Sequence, residues 1–340
     1  MVSPALQLFD LIQSHRVSVV IYVAARLGLA ELLRNGPQPA SRLAEATGAD
    51  RRSLERLLRA LLTIGLCTYS EDGYALTEIG SALDGAAEHS FKAWAIFEGE
   101  MLSKSWSGML ESIMAGKTAA ELQGVTSSFE LMSRNPDNVR IFNRAMADLT
   151  RVVIQDVLQA CDFSQVSRLL DVGGGSGELI GAIANKYKNV RAAVFDLPRC
   201  AEAAKEHLDR VGVSDRAEFV AGNFFESVPV GFDSIILKSV IHDWNDERSG
   251  VILQNCRHAL APSGALLLIE RVMPEAPAVK AEDKSHAMSD LNMMRGPGGC
   301  ERTEKEYRDL LARSGFQVQS VAPAGRFSVM EARAIPLSRA

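Results

Sequence analysis

Glycines and polar side chains follow four apolar segments in the second half of the chain, and their types suit a nucleoside ligand. The first segment runs into the glycine-rich stretch 171–177, the second ends at Asp196, the third at Asn223 and the fourth at His242. Glycines let the backbone turn sharply and approach a bulky ligand without a Cβ. An acidic residue about 20 positions later is placed to accept hydrogen bonds from ribose hydroxyls. The pattern predicts a nucleotide, a dinucleotide or another adenosyl compound, and leaves the choice among them open.

The base of such a ligand could lie at the end of the third segment. Asn223 has both a donor and an acceptor with which to read an adenine edge, and the Phe224 ring could cover the face of the base. The carboxyl ends of parallel strands meet at one edge of a sheet. Polar groups at four consecutive strand ends therefore predict one crevice.

Alternating strands and helices must position these groups. The predicted strands are 166–172, 192–195, 217–221, 233–237, 264–270, 316–322 and 327–334, and the predicted helices are 178–188, 200–211, 246–259 and 303–314. This alternation predicts a doubly wound α/β sheet. Only residues 323–326 separate the last two strands, so we expect them to pair antiparallel, unlike the strands of a usual dinucleotide-binding half.

The N-terminal region is predicted to be helical with a winged-helix motif. A helix over 5–34 carries more apolar residues than one face can hold, which a second subunit would explain. Helices over 40–46 and 51–64 precede a hairpin over 68–76 with Asp72-Gly73 at its turn. An arginine face, Arg52, Arg56 and Arg59, is compatible with DNA binding, but neighbouring acidic residues dilute its charge. We interpret it as a solvated face of a dimerisation scaffold.

Composition limits the possible partners and location. With 340 residues the chain suits two domains, and its 47% hydrophobic and 23% charged residues are typical of a soluble globular protein. A net charge of −5 does not favour bulk binding to nucleic acid or anionic lipid. Five scattered cysteines without a Cys-x-x-Cys pair favour reduced thiols over a zinc cluster. Without a signal pattern or a run of 18 apolar residues, we expect a cytoplasmic protein that neither crosses nor binds a membrane.

Large, soft side chains in the helical region 91–157 could form a slot for a flat aromatic substrate, although such stripes also occur in ordinary cores. The residues in question are Trp94, Phe97, Met101, Trp106, Phe142 and Met146. Asp290, Asn292 and Met293 are predicted to lie on a helix that faces the same substrate. We therefore expect a domain over 1–90, a helical linker over 91–157 that contributes to the pocket, and a catalytic domain over 158–340.

Several motifs together resemble one enzyme family. They are Asp171–Gly177, Phe195-Asp-Leu-Pro198, Gly222-Asn-Phe-Phe225, Leu237-Lys238, Ile241-His-Asp-Trp244, Glu270 and the run 298–303. Their order is similar to that of S-adenosylmethionine-dependent small-molecule O-methyltransferases, in particular the dimeric caffeate/isoflavone O-methyltransferases and their bacterial relatives that act on natural products. The N-terminal winged helix resembles the dimerisation domain of that family, so the resemblance covers nearly the whole chain.

This resemblance implies a Rossmann-like class I methyltransferase sheet, a homodimer, and S-adenosylmethionine as cofactor with S-adenosylhomocysteine as product. It places Gly173 and Gly175 against the methionine part, Asp196 at the ribose, Asn223 and Phe224 at the adenine, and Lys238 at the far edge of the cofactor, with Leu197, Gly222 and Ser239 in the same site. One departure is visible, because the family usually has Asp at the position of Asn223. We expect cofactor binding to survive this change.

The resemblance further implies that His242 is the general base, flanked by Glu270 and Glu301. A phenol with a pKa near 10 and a histidine with a pKa near 6.5 differ by about 3.5 units, roughly 5 kcal/mol. Carboxylates beside the imidazole stabilise imidazolium and reduce that gap. The methyl group of a sulfonium is already electrophilic, so alignment and proton removal suffice, and we expect no metal.

Other functions remain open on the sequence alone. The same fold and cofactor could serve a non-methylating hydroxylase, decarboxylase or pericyclase. A winged helix could belong to a ligand-sensing DNA-binding regulator. An NAD-linked dehydrogenase fits least, because neither the terminal antiparallel pair nor the Ile-His-Asp-Trp motif suits it. The acceptor, the position methylated and the choice of O or N as acceptor atom are not readable from the sequence.

Overall fold

The computed structural model describes residues 3–276, 278 and 281–335, with the side chains of 281 and 282 left aside. Its helices are α1 (Pro4–Gln13), α2 (His15–Arg26), α3 (Leu29–Leu33), α4 (Ala40–Thr47), α5 (Arg51–Thr63), α6 (Glu78–Ser81), α7 (Lys92–Phe97), α8 (Ser103–Trp106), α9 (Met109–Ala115), α10 (Ala119–Leu122), α11 (Ser128–Ser133), α12 (Pro136–Arg151), α13 (Ile154–Ala160), α14 (Glu178–Lys186), α15 (Ala201–Arg210), α16 (Asp246–Ala259), α17 (Ala281–Arg295) and α18 (Glu304–Arg313). Its strands are β1 (Cys67–Ser70), β2 (Gly73–Leu76), β3 (Arg168–Val172), β4 (Arg191–Asp196), β5 (Ala217–Ala221), β6 (Phe232–Lys238), β7 (Leu260–Glu270), β8 (Val272–Met273), β9 (Arg302–Thr303), β10 (Phe316–Ala324) and β11 (Phe327–Ala334).

The chain forms two compact units, described separately below. The first contains Met1–Ser107 and Asn135–Leu149, and the second contains Gly108–Arg134 and Thr150–Ala340. The division of the chain at residues 90 and 157 stays a prediction.

The first unit contains the predicted winged-helix motif. Asp50 accepts a hydrogen bond from the backbone N–H of Ser53 at 2.8 Å and so caps α5, as expected for an N-cap aspartate. The leucines of α5 at positions 54, 58 and 61 are buried, whereas the three arginines of the predicted basic face are exposed. Strands β1 and β2 pair with Ser70 opposite Gly73, so Glu71 and Asp72 form the turn instead of the predicted Asp72-Gly73.

The predicted helix over 5–34 is three helices, interrupted at Ser14 and at Gly28. Helix α1 has no buried residue. The stretch Pro4–Arg26 is also long and apolar enough, by length and composition, to cross a membrane, and 11% of an 18-residue apolar segment within it is buried. That the chain enters no membrane stays a prediction, because it was based on the lack of 18 consecutive apolar residues, whereas an average over the segment tolerates a few polar ones. Uncovered apolar surface is the observation that needs an explanation.

The second unit contains a seven-stranded sheet in the order β10-β11-β7-β6-β3-β4-β5. Strands β3 to β7 of this sheet pair parallel, while β11 pairs antiparallel with both β7 and β10. Both the parallel core and the antiparallel terminal pair confirm the prediction. Apolar side chains pack into two large buried clusters, one of which includes Tyr307 and Leu310 of α18 and the other Leu179 and Ile183 of α14.

Two details of this unit were not predicted. Strand β7 begins at Leu260, four residues before the expected start. Strands β8 and β9 form a separate two-stranded parallel pair in which Val272 lies opposite Arg302. This pair holds the chain after Glu270 beside the chain after Glu301, and it therefore links two residues of the predicted catalytic set.

Candidate active site

The glycine-rich turn between β3 and α14 is tied to the end of β4. Gly173 has a φ of 76° and donates its N–H to the carbonyl of Phe195 at 2.8 Å. A Cβ on Gly173 would lie 2.7 Å from Cγ2 of Val240, so a larger residue would close the turn. Asp196 accepts hydrogen bonds from the N–H of Gly175 at 2.9 Å and of Leu197 at 2.6 Å. A carboxylate has about four acceptor positions, so Asp196 retains capacity for two ribose hydroxyls.

The loop after β5 lies next to this turn. Gly222 donates its N–H to the carbonyl of Asp196 at 2.9 Å. The carbonyl of Phe224 accepts from Nδ2 of Asn255 at 2.9 Å, and Cε1 of Phe224 would lie 3.8 Å from a Cβ on Gly173. The ends of β3, β4 and β5 thus form one continuous polar edge with an aromatic side chain, which fits an adenosyl cofactor.

Lys238 and Ser239 end β6 at the same edge. Burial lowers the pKa of Lys238 to about 8, although the negative charges of Asp171 and Glu270 act to raise it. Nζ of Lys238 lies 5.4 Å from the centre of the Phe327 ring. Burial likewise raises the pKa of Asp171 to about 7. Ser239 has a φ of 54° and is the only non-glycine residue with a positive φ among those the structure describes. Backbone strain of this kind often occurs at functional sites.

His242 lies in a single 3-10 turn, Ile241–Asp243, directly after β6. It is 9% exposed, and its Nδ1 lies 3.1 Å from Oε1 of Glu301 and 3.7 Å from Oε2 of Glu270. Its Nε2 lies 3.6 Å from Oδ1 of Asp243. The three residues predicted to be catalytic are therefore in contact, and a fourth ionisable group, which the sequence analysis did not assign, is beside them.

The two glutamates are held by different partners. Oε1 of Glu270 accepts from the backbone N–H groups of Val240 at 2.9 Å and Ile241 at 2.8 Å, while its Oε2 has no hydrogen-bond partner among the residues that the structure describes and faces the imidazole. Oε1 of Glu301 accepts from the hydroxyl of Ser289 at 2.6 Å as well as from the imidazole. Glu270 thus fixes the turn that carries His242, and Glu301 orients the ring.

The electrostatics of the cluster favour imidazolium. Burial alone would lower the pKa of His242, but Glu270, the hydrogen bond with Glu301 and the charge of Asp243 outweigh it and raise this pKa to about 10. Burial would raise the pKa of Glu301, yet its contacts with His242 and Ser289 bring it below the usual value. Burial raises the pKa of Glu270 despite its two backbone hydrogen bonds. With Nδ1–H directed at the carboxylates, neutral His242 has its lone pair on Nε2 and can accept a proton there.

Arg302 also stabilises the 3-10 turn that carries His242. It is 2% exposed and donates to the carbonyls of Ile241 at 3.2 Å and Trp244 at 2.8 Å, and its Nη2 lies 2.9 Å from Oδ1 of Asp246. A Cβ on Gly299 would lie 2.0 Å from the carbonyl oxygen of His242, so only glycine allows this approach. The sequence analysis missed Arg302 and Ser289. The one available signal was that Arg302 directly follows Glu301 in the run 298–303, which is part of the family resemblance.

One of the three predicted acceptor-facing residues of α17, Asp290, contacts this cluster. Oδ1 of Asp290 accepts from the backbone N–H of Glu301 at 2.9 Å, and Met293 is 8% exposed. Asn292 is partly buried, and its carbonyl accepts from Gly296 at 2.8 Å. Asp290 therefore positions Glu301, a role that the prediction of a substrate contact did not include.

The remaining predicted pocket residues belong to the first unit. The Trp94 and Phe97 rings are 5.7 Å apart, as are the Phe97 and Phe142 rings, so three of the six form one aromatic cluster. Phe97 is buried, whereas Trp94, Met101, Trp106, Phe142 and Met146 are partly exposed. Met101 lies in a single π-helical segment, Glu98–Leu102, a distortion that is frequent at functional sites.

His242, Glu270 and Glu301 also have the composition of a metal-ligand set. One ligand atom from each lies within 4.8 Å of the others, and this is the one such group found in the described part of the chain. Glu301 accepts hydrogen bonds from His242 and Ser289, and Glu270 accepts them from two backbone amides. These hydrogen-bond donors alone account for the arrangement of the three side chains.

Comparison with known proteins adds family information to this geometry. Residues 106–317 match the family model of an O-methyltransferase domain, and residues 9–84 match that of an O-methyltransferase dimerisation domain. A phenazine O-methyltransferase of Lysobacter antibioticus is 38% identical, with 96% of both chains covered. A mitomycin biosynthesis 6-O-methyltransferase of Streptomyces lavendulae is 34% identical, with 93% of this chain and 90% of that protein covered. A phenazine-1-carboxylate N-methyltransferase of Pseudomonas aeruginosa is 30% identical, with 99% and 98% covered.

Solved structures agree with these relationships. The crystal structure of LaPhzM has a TM-score of 0.92 and 37% sequence identity, with 98% of this chain and 100% of that chain covered. An O-methyltransferase from neocarzinostatin biosynthesis, solved with S-adenosylmethionine and 2-hydroxy-5-methyl naphthoic acid, has a TM-score of 0.77 and 30% identity, with 94% and 96% covered.

Proposed function

The chain belongs to the family of S-adenosylmethionine-dependent O-methyltransferases, and from this premise we propose that it methylates a hydroxyl group of an aromatic natural product with His242 as general base. Its relatives are O- and N-methyltransferases of natural-product biosynthesis. The observation that carries the proposal is the buried contact of 3.1 Å between Nδ1 of His242 and Oε1 of Glu301, which leaves Nε2 to receive a proton.

The cofactor supplies an electrophilic methyl group when it is bound. Gly173 and Gly175 would admit its methionine part, Asp196 would accept hydrogen bonds from the ribose, and Phe224 would cover the base. Lys238 would lie at the far edge, and Leu197, Gly222 and Ser239 complete the strand ends that form the crevice. These residues fit the cofactor for two reasons. The glycines of the turn have no side chains that would keep the cofactor away from the backbone, and Asp196 retains free acceptor positions after it accepts hydrogen bonds from two backbone amides.

Proton removal is the task of His242. A phenol with a pKa near 10 cannot readily give its proton to an ordinary histidine. The carboxylates around His242 raise its pKa to about 10, so transfer from the acceptor hydroxyl to Nε2 becomes nearly balanced. Glu301 keeps the proton of Nδ1 directed away from the acceptor, and Glu270 stabilises the imidazolium that forms.

This electrostatic arrangement fixes the direction of the pH dependence. Free His242 is protonated at neutral pH, and the base must be neutral to act. The fraction of competent enzyme therefore grows as the pH rises toward the pKa of His242. We expect kcat/KM to increase by close to tenfold per pH unit between pH 6.5 and 8.5.

A flat aromatic acceptor is supported by two observations. The first unit contains the cluster of Trp94, Phe97 and Phe142, with Met101 on its π-helical segment. The relatives include a phenazine O-methyltransferase and a structure that contains a naphthoic acid. A hydroxyl is preferred to a ring nitrogen because a ring nitrogen without a hydrogen needs no base, whereas the cluster around His242 is built to take up a proton.

The test is a mass-spectrometric screen with hydroxyphenazines and hydroxynaphthoic acids, with the matching methoxy compounds as controls. We expect S-adenosylhomocysteine to form together with a monomethylated product from the hydroxy compounds only. Products methylated on nitrogen would replace the O-methyl proposal. Conversion of the acceptor without S-adenosylhomocysteine would favour the non-methylating alternative.

We also propose a homodimer assembled through the N-terminal region. Helix α1 carries exposed Leu6, Phe9, Leu11 and Ile12, and the family model of the dimerisation domain begins within it at residue 9. Burial between subunits would account for this apolar surface without a membrane, in accord with a cytoplasmic location. The net charge of −5 accords with a protein that has no nucleic-acid partner. Light scattering should give the mass of two chains, and Phe9→Glu should shift it toward one. A single-chain mass for the unaltered protein would contradict the proposal.

A further inference from the structure

The helical turn around Gly99 in the first unit is wider than a turn of α-helix. The N–H of Ser103 binds the carbonyl of Glu98, five residues earlier, whereas an α-helix would use the carbonyl four residues earlier. The carbonyl of Gly99 accepts instead from the hydroxyl of Ser103, at 2.7 Å. These two hydrogen bonds fix the π-helical segment Glu98–Leu102, so the side chains of this segment have defined directions.

Helix α2 packs against one side of the π-helical segment. A Cβ on Gly99 would lie 2.1 Å from Cγ of Tyr22, so the tyrosine ring rests directly on the backbone. Oε1 of Glu100 lies 2.9 Å from Nε of Arg26 and 3.4 Å from the hydroxyl of Tyr22. Glu100 therefore marks the side of the segment that faces α2, and its charge is paired there.

Glu98 lies on the other side of the same segment. Residues two positions apart, such as Glu98 and Glu100, point in nearly opposite directions in a helix of about four residues per turn. Trp94, four positions before Glu98, lies on the same side as Glu98. The rings of Trp94 and Phe97 are 5.7 Å apart. Glu98 thus shares the helix face that carries aromatic side chains of the proposed acceptor slot.

The carboxylate of Glu98 has no partner within the described part of the chain. The residue is partly buried, and it makes no hydrogen bond or ion pair with any residue that the structure describes. Burial raises the pKa of Glu98, and no neighbouring charge offsets this effect. Buried carboxylates are normally paired, because their removal from water is costly without a partner. A ligand that brings a hydrogen-bond donor to this face would supply the missing partner.

We propose that Glu98 binds a second polar group of the acceptor, an N–H or O–H donor, in addition to the hydroxyl that is methylated. The acceptor is then an amino- or hydroxy-substituted aromatic alcohol. This inference rests on the acceptor slot of the proposed function and adds the class of substituent that the slot selects. An acceptor without the donor would cover the carboxylate and take away its remaining water, so it should bind at least about tenfold more weakly.

Calorimetric binding to the complex with S-adenosylhomocysteine tests the assignment without methyl transfer. The probes are the isomeric aminonaphthols and dihydroxynaphthalenes, each compared with the methylnaphthol of the same substitution pattern. We expect at least one amino or hydroxy compound to bind at least about tenfold more tightly than its methyl counterpart. The absence of such a preference for every pattern, in the unaltered protein, would overturn the proposal.

Glu98→Leu is the decisive variant, because leucine is of similar size and cannot accept a hydrogen bond. The preference should fall to below about threefold, while the affinity for S-adenosylhomocysteine stays within about twofold, since no proposed cofactor residue is altered. The matched control is Glu100→Gln, in the same segment but on the side that faces α2, and it should keep the preference of the unaltered protein. An unchanged preference in Glu98→Leu, or an equal loss in Glu100→Gln, would overturn the proposal.

The stability of the unliganded protein gives a second readout. Glu98→Leu removes an unpaired, partly buried carboxylate, so the midpoint of thermal unfolding should rise. A lower midpoint would reveal a partner of Glu98 within the protein and contradict the proposal. A binding preference without any methylated product would leave the role of Glu98 in place and refute the proposed function, whereas methyl transfer without the preference would do the reverse.

Discussion

Two buried histidines of the second unit differ in their electrostatics although Nδ1 of each lies close to a glutamate. His242 is 9% exposed and His207 is 6% exposed. In each, Nδ1 lies near one carboxylate oxygen, 3.1 Å from Oε1 of Glu301 for His242 and 3.3 Å from Oε1 of Glu178 for His207. Contact with a glutamate is often taken as the mark of a catalytic base, and by that criterion the two would be equivalent.

Their wider surroundings separate them. Nη2 of Arg210 lies 2.8 Å from Nδ1 of His207, and Nη1 of Arg151 donates to Glu178 at 3.0 Å. Burial, reinforced by these two arginines, lowers the pKa of His207 to about 4, so it is neutral at physiological pH. Around His242, three carboxylates outweigh burial and raise the pKa to about 10. The sum of charges around the ring, not one close carboxylate, decides whether a buried histidine can hold a proton.

Removing each imidazole should give the largest contrast. We expect His242→Ala to lower kcat by about 10²- to 10⁴-fold, since general base catalysis is lost. His207→Gln should leave kcat within about threefold, because His207 lies outside the proposed cofactor and proton-transfer residues. Steady-state kinetics with calorimetric S-adenosylhomocysteine binding measures both. Equal losses in the two variants, or full turnover in His242→Ala with cofactor bound, would remove the distinction.

Neutralising one partner glutamate tests the electrostatics directly. Glu301→Gln takes away a negative charge and the acceptor of Nδ1–H, so the pKa of His242 should fall. The rising limb of the kcat/KM profile then moves to lower pH, and its plateau falls by about 10- to 100-fold, because the weaker base is less well matched to the acceptor. Glu178→Gln, the matched change at His207, should leave the position of the limb unchanged. A limb that stays fixed in Glu301→Gln would show that Glu301 does not act on His242.

Removing an arginine from the other histidine should affect stability rather than turnover. His207 has a lower pKa when folded than the ordinary value near 6.5, so its contribution to stability is present above pH 6.5 and is lost as the pH falls toward 4. By pH 5 this loss is roughly 1–2 kcal/mol. Arg210→Met raises the pKa of His207 and should flatten the pH dependence of denaturant unfolding between pH 6.5 and 5. A slope equal to that of the unaltered protein would contradict this role of Arg210.

Chelation should produce the smallest effect. If the His242 cluster works by proton transfer, dialysis against EDTA leaves kcat within about twofold, because the order of the cluster comes from hydrogen bonds and not from an ion. Turnover measured before and after dialysis is sufficient. Loss of activity that Mg²⁺ or Zn²⁺ restores would reassign the cluster of His242, Glu270 and Glu301 as a metal site.

Local patterns in the sequence were enough to predict the sheet and the groups at its edge. Strands β5 and β11 have the predicted bounds because Gly222 follows β5 and a turn at Gly325 and Arg326 precedes β11. The antiparallel terminal pair followed from a connection too short for a crossover. The meeting of His242 with Glu301, 59 residues later, came from the family resemblance and not from periodicity.

Properties that depend on distant partners could not be predicted. Arg302 binds the carbonyl of Trp244 across 58 positions, and Ser289 reaches Glu301 across 12. Asp290 was expected to contact the acceptor, yet its carboxylate binds the backbone of Glu301. The pKa values of the two histidines shift in opposite directions because different charged groups pack around each ring. Arg210 lies three residues from His207 on α15, but Arg151 comes from a distant segment.

The central claim is that the surroundings of His242, and not those of His207, make it a base matched to a hydroxyl. A titration followed by NMR of ¹⁵N-labelled histidine side chains, assigned with the His242→Ala and His207→Gln variants, measures this directly. We predict that His242 stays protonated through neutral pH and loses its proton near pH 10, while His207 stays neutral down to about pH 5. Two histidines that both titrate near pH 6.5 would contradict the account.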